Sequence, residues 1–198
     1  MKRILLAVTV LLSGCVLQSF HPFHTGKNLV FPKELVGSWK VQKFAGNAEE
    51  VEKINPWKLT GTSATYAKML VLDKQNAAGT FQTRFFKVGE TMFLDVEPSD
   101  PSDDAKFNGL WLFTLRPTHS VCKVETKGNI ITLKPISFDW LKKSIEAKKV
   151  SLPFMGNLKE IPLFTATPAE WEAFLSQHAG DAEAFTESSA YVLTRAGN

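Results

Sequence analysis

The chain has 198 residues, 44% of them hydrophobic, and a formal net charge of +3 at pH 7. That length suits one domain with a sizeable core, and so small a charge argues against nucleic-acid binding. Fifteen phenylalanines against two tyrosines point to a greasy interior rather than a polar, tyrosine-rich recognition surface.

The N-terminus reads Met1-Lys2-Arg3, then an apolar stretch from Ile4 to Leu12, then Ser13-Gly14-Cys15. Two cations ahead of a short apolar stretch have the order of a secretory signal. The stretch is far shorter than the ~20 residues of a membrane-spanning helix. Leu12-Ser13-Gly14-Cys15 resembles the lipobox of bacterial lipoproteins: an aliphatic residue, two small residues, then an essential cysteine. The small residues keep the backbone slim where a peptidase grips it. The thiol is the group that takes a thioether-linked lipid. The resemblance implies that residues 1–14 are a cleaved signal peptide. Cys15 then heads the mature chain, with a diacylglycerol thioether and often an N-acyl chain. At about 0.8 kcal/mol per buried CH₂, two or more chains anchor stably where one does not. Val16 stands where proteins of that family kept at the inner membrane tend to carry Asp, so the resemblance favours the periplasmic side of the outer membrane. The covalent lipid on Cys15 is the one non-protein group expected, with no cofactor and no metal. Loss of Lys2 and Arg3 leaves the mature chain nearly neutral. With Cys15 acylated, Cys122 has no partner for an intramolecular disulfide.

Residues 15–34 read as the lipidated N-terminus and a tether. Pro22, Gly26 and Pro32 interrupt them, and no periodicity shows. A flexible segment of this kind reaches roughly 25 Å. His21 and His24 lie three apart, but a metal site needs further ligands in held geometry. A solvated linker is the reading adopted.

Residues 35–198 read as a single globular β-rich domain. Strands are predicted near 36–44, 66–73, 80–88, 91–97, 109–116, 120–126 and 129–135. Met92, Leu94 and Val96 alternate with polar neighbours, as do Cys122 and Val124, so each set faces one side. Leu110 to Leu115 is apolar on both faces. Gly89-Glu90 and Lys127-Gly128-Asn129 read as hairpin links, which makes neighbouring strands antiparallel. The acidic residues of the 98–108 loop miss the spacing of a calcium loop. A helix over 138–149 turns Phe138, Leu141 and Ile145 to one face and Lys142, Lys143, Lys148 and Lys149 toward solvent. A second helix over 168–179 has Thr167 as N-cap, Pro168 at its first position and Glu170 completing a capping box. Trp171, Phe174, Leu175 and His178 share one face, and Gly180 can end it with positive φ. A last strand runs from Ala190 to Arg195.

These elements make a mainly β fold with two helices (α+β), an antiparallel meander with the helices packed near the C-terminus. Eight strands suffice to close a small barrel. Val36-Gly37-Ser38-Trp39-Lys40 resembles the Gly-x-Trp opening of lipocalin-like (calycin) barrels. In that family the tryptophan plugs the closed end and an arginine of the last strand packs over it, which implies Trp39 and Arg195 as the barrel-closing pair. The Thr-Asp-Tyr motif of lipocalins is absent, and the helices precede the last strand. The alternative is another meander or sheet-plus-helix fold.

Catalytic patterns are sparse. The chain has no Gly-x-Ser-x-Gly, no His-Glu-x-x-His and no phosphate-binding glycine loop. His119 with Ser120, oriented by Asp139, and His119 with Cys122 are the nearest nucleophile–base combinations. A backbone-bonded turn histidine and an inert buried thiol are the plainer readings. Phe81, Phe85, Met92, Trp111 and Phe113 are candidates to line an apolar cavity, or else simply core. The expected function is therefore that of a non-enzymatic, membrane-anchored envelope lipoprotein that binds an apolar small molecule or lipid. The alternatives are an accessory subunit docked on another envelope protein, and a hydrolase without a recognisable motif.

Overall fold

A computed structural model of the chain describes residues 17–43, 56–72, 78–99, 117–160 and 162–197. In chain order come β1 (Gln18–Ser19), β2 (Leu29–Val30), a 3-10 turn (Lys33–Leu35), β3 (Gly37–Lys43), β4 (Trp57–Gly61) and β5 (Ala67–Leu72). They are followed by β6 (Ala78–Val88), β7 (Thr91–Pro98), β8 (Ser120–Lys127), β9 (Ile130–Pro135) and helix α1 (Phe138–Glu146). The chain ends with β10 (Phe154–Met155), β11 (Leu163–Phe164), helix α2 (Pro168–His178) and β12 (Tyr191–Arg195).

Eight strands form a closed antiparallel barrel in the order β6-β5-β4-β3-β12-β9-β8-β7, with β7 pairing back onto β6. The long strand β6 makes closure possible. Its Ala78–Thr83 part pairs with β5, and all of Phe81–Val88 pairs with β7. The β6–β7 and β8–β9 links are two-residue turns opened by Gly89 (φ +59°) and Gly128 (φ +57°), a left-handed conformation that glycine takes without Cβ strain. Period-two alternation sends Trp39, Val41, Trp57, Leu59, Met69, Phe85, Leu94, Val124, Ile131, Leu133 and Leu193 into the barrel.

Strand β4 was not among the predicted strands, although Trp57 and Leu59 are buried between exposed neighbours. It has only five residues, and Pro56 stands immediately before it. The strand predicted over 109–116 lies outside the described residues. Helix α2 carries the Thr167–Glu170 capping box with Pro168 in its first turn. It ends without a left-handed glycine. Ala179 is the C-cap in right-handed conformation, and its N–H donates to Leu175 O. Helix α1 stops at Glu146, short of the predicted 149, and Lys148 turns left-handed at φ +57°. That turn brings Val150 back into the core, where its N–H donates to Ser144 O.

A second core lies outside the barrel. Phe86, Val88, Phe93 and Val121 point outward from β6, β7 and β8 and pack against Leu141 of α1, Trp171 and Leu175 of α2, and Phe164 and Phe185. The N-terminal segment joins this core from Leu17 onward, so its described residues are not the solvated linker expected for 15–34. Leu17, Ser19, Phe23 and His24 are all buried. Phe23 packs on Trp171 at 4.5 Å between ring centroids, and Trp171 Nε1 donates to Ser19 Oγ. β1 pairs in parallel with β11, and β2 pairs with β6. Periodicity cannot reveal such packing, because the segment docks through single side chains rather than through a helical or extended face. The density of Phe20, Phe23 and Phe31 was the available signal, since a solvated linker has no use for so many aromatics.

One end of the barrel is sealed. The 3-10 turn puts Leu35 across the floor, and Leu35 O accepts a hydrogen bond from Trp39 Nε1 at 2.9 Å. The Arg195 guanidinium lies over the Trp39 ring, 4.5 Å from its centroid. It also donates to Val36 O and Glu34 O, tying the turn to the last strand. Gly37 has φ +140°, and a Cβ there would sit 2.9 Å from Arg195 Nη1. The glycine of Gly-x-Trp is therefore the space the arginine occupies. Arg195→Ala should cost about 0.5–1 kcal/mol from the lost cation–π contact. Gly37→Ala should cost about 1–3 kcal/mol from backbone strain and displaced guanidinium together. Urea unfolding should show the double variant costing less than the sum of the two single variants. Full additivity would mean that Gly37 does not serve the arginine.

Candidate functional site

The barrel is filled unevenly along its axis. Toward the floor, Leu35, Trp39, Leu59, Phe85, Ile131 and Leu193 leave a void of only about 20 Å³. Trp57, Met69, Leu94 and Leu133 form the layer above and border both regions. Beyond them opens a cavity of about 270 Å³ walled by Val71, Phe81, Val96, Cys122 and Tyr191, with Gln18, Pro98, Thr118 and Ser120 toward its rim. No charged side chain lies among the described lining residues. The strand directions agree with this polarity. β5, β7 and β9 end at the open rim, and β4, β6, β8 and β12 start there.

The candidate lining residues therefore separate by depth. Phe81 lies on the cavity wall and Phe85 in the packed floor region. Met92 is half-buried against the barrel core nearer the floor. Trp111 and Phe113, like Cys15, lie outside the described residues. Tyr191, Trp57 and Cys122 were not singled out as lining, although Trp57 begins a strand that sequence reasoning missed. Cys122 is enclosed by protein yet keeps part of its surface, because that surface faces the cavity. Burial pushes its thiol pKa up to about 12, so it is protonated and weakly nucleophilic at neutral pH. Burial likewise pushes the Tyr191 phenol up to about 12. Such a space can hold an apolar body, with any charged head left at the rim.

Outside the barrel wall a polar cluster sits beneath the N-terminal segment. The Asp95 carboxylate, almost fully buried, meets His119 Nδ1 at 2.7 Å and accepts the Phe23 N–H at 2.8 Å. His119 also exchanges backbone hydrogen bonds with Ser19 at 2.9 and 2.8 Å. The partner of His119 is thus Asp95, whereas Asp139 is exposed at the start of α1. Cys122 faces into the barrel on the strand that His119 precedes. Ser120 Oγ donates to Leu17 O, and Ser19 Oγ donates to His21 O, so neither hydroxyl is presented to His119. The Asp95–His119 pair pins the N-terminal segment to β7 and β8. His24 is buried nearby, its two ring nitrogens without hydrogen-bond partners. His21 is half-buried, with its ring edge-on to Phe20. Among the described residues no group of His, Cys, Asp or Glu is placed to hold a metal ion. Comparison with protein-family profiles, curated protein sequences and solved structures finds no match to this chain.

The two buried histidines carry opposite pH signatures. Burial works against a charged His119, but the hydrogen bond and charge of Asp95 outweigh it and raise the pKa above 6.5. Burial dominates at His24 and lowers its pKa below 6.5, against the attraction of Asp95. The His119 contribution to stability is fully present below the unfolded value of 6.5 and is lost as pH rises through the raised folded value. The His24 contribution runs the other way, present above 6.5 and lost as pH falls through the lowered folded value. Histidine NMR titration should show His119 holding its proton to higher pH than His24. In Asp95→Asn the His119 midpoint should drop. An unchanged midpoint would show that Asp95 is not what charges the imidazole.

Proposed function

We propose that this protein is a lipid-anchored envelope lipoprotein, held at the outer membrane through Cys15, whose barrel binds an apolar small molecule or a single acyl chain. The observation that carries the binding reading is the cavity in the upper half of the barrel, with no charged side chain among its described lining residues. A core evolved only for stability is expected at close-packed density, as near the floor, since each void forfeits dispersion contacts. At about 270 Å³ the cavity lies close to the lower end of small-ligand sites, roughly 300–1,000 Å³. It therefore favours one slender apolar body over a whole phospholipid.

The anchor reading is supported by Leu12-Ser13-Gly14-Cys15 and the cations ahead of it. No described helix is long and apolar enough to cross a membrane. Among the described residues Phe20, Ile130 and Met155 are the exposed large hydrophobics, too few for the broad apolar face of an accessory subunit.

Two experiments test these readings. Native mass spectrometry of protein purified from membranes should show a co-purified apolar ligand, and a fluorescent fatty acid should bind after delipidation. Val96→Phe, which projects a ring into the cavity, should weaken that binding tenfold or more, about 1.4 kcal/mol. Its thermal midpoint should stay near that of the unsubstituted chain. Unchanged affinity in a folded Val96→Phe would remove the barrel as the binding site. Separately, Cys15→Ser should block signal cleavage and acylation. Normal processing and acyl labelling of this variant would sink the lipoprotein reading.

A further inference from the structure

The place where the chain enters the folded domain decides how an anchored molecule must sit. Leu17 is buried, and its carbonyl is held by Ser120 Oγ at 2.9 Å, at the start of β8. The next residue, Gln18, lines the cavity near its rim. Cys15 is three positions from Gln18, and an extended chain covers no more than ~11 Å over that distance. A lipid on Cys15 would therefore lie close to the open end of the barrel, with no linker long enough to hold the sealed end toward the membrane instead.

Exposed apolar side chains lie beside that point. In the small sheet, Gln18 pairs with Leu163 and Leu163 with Met155, so the three side chains form one row on the outer side. Their neighbours Ser19, Phe164 and Phe154 form the other row, which turns toward the domain. Met155 is 63% exposed, the most exposed large hydrophobic among the described residues. Phe20, next along the chain, is 48% exposed although its N–H is bonded to Phe164 O. Of the exposed large hydrophobics among the described residues, Ile130 lies at the far end, beside the Gly128-Asn129 turn.

We propose that the open end of the barrel is the face that meets the bilayer, with Phe20, Leu163 and Met155 seated in the headgroup region beside Cys15 and the cavity mouth turned toward the anchoring leaflet. The proposal rests on the lipid-anchor reading. In this orientation an apolar ligand passes between leaflet and cavity without crossing bulk water, which otherwise opposes its transfer. The two-residue turns and the Trp39–Arg195 floor point away from the membrane.

The test uses full-length lipidated protein in vesicles of phosphatidylcholine and phosphatidylglycerol, carrying a nitrobenzoxadiazole label at Met155→Cys or at Glu90→Cys. Cys122→Ser removes the competing thiol in both. Glu90 is exposed in the turn at the sealed end. Nitroxide-labelled phospholipid should quench the Met155 label several-fold more than the Glu90 label, and Phe20→Ser should reduce the difference. Stronger quenching at Glu90, or equal quenching at both, overturns the orientation while flotation with the vesicles still supports the anchor. Protein that fails to float with the vesicles refutes the anchor reading, and this proposal with it.

Discussion

Strand β6 hydrogen-bonds to β5 on one side and β7 on the other, and that double pairing closes the sheet. The rest of the structure depends on it. Closure removes unpaired strand edges and sets the bore, which at eight strands is wide enough for side chains or one small ligand. It also fixes which side chains point out. Phe85 enters the barrel and its neighbour Phe86 faces away, so the wall must be covered on both sides.

The outer cover comes from parts of the chain far apart in sequence. Helices α1 and α2 bring apolar stripes, and the N-terminal segment fills the groove between them and β7 with Phe23. A buried Asp95–His119 pair lies within this cover. Such a pair is weak evidence for stability in itself, since desolvation offsets much of the attraction. Its evident consequence is register: Asp95 holds the Phe23 N–H, and His119 holds Ser19. The pair thereby fixes the point where the N-terminus leaves the domain.

That point would link the cavity to the anchor proposed at Cys15. A flexible tether would have separated the two, whereas the docked segment puts Gln18 at the rim, three positions along the chain from Cys15. The barrel has a polarity of its own, with a sealed floor supplied by Gly37, Trp39 and Arg195 and a cavity toward the opposite rim.

The sequence by itself determined the alternation that puts Leu94 and Val124 inside, the hairpin turns at Gly89 and Gly128, and the capped start of α2. Each is a local pattern or a short motif, set by backbone geometry within a few residues. The tertiary structure alone decided that β7 returns to β6, that 17–30 is packed rather than free, that Asp95 and not Asp139 faces His119, and that the described side chains of the upper barrel leave a cavity between them. These depend on contacts between distant segments and on the sum of side-chain volumes in one layer. Neither leaves a period or a motif along the chain.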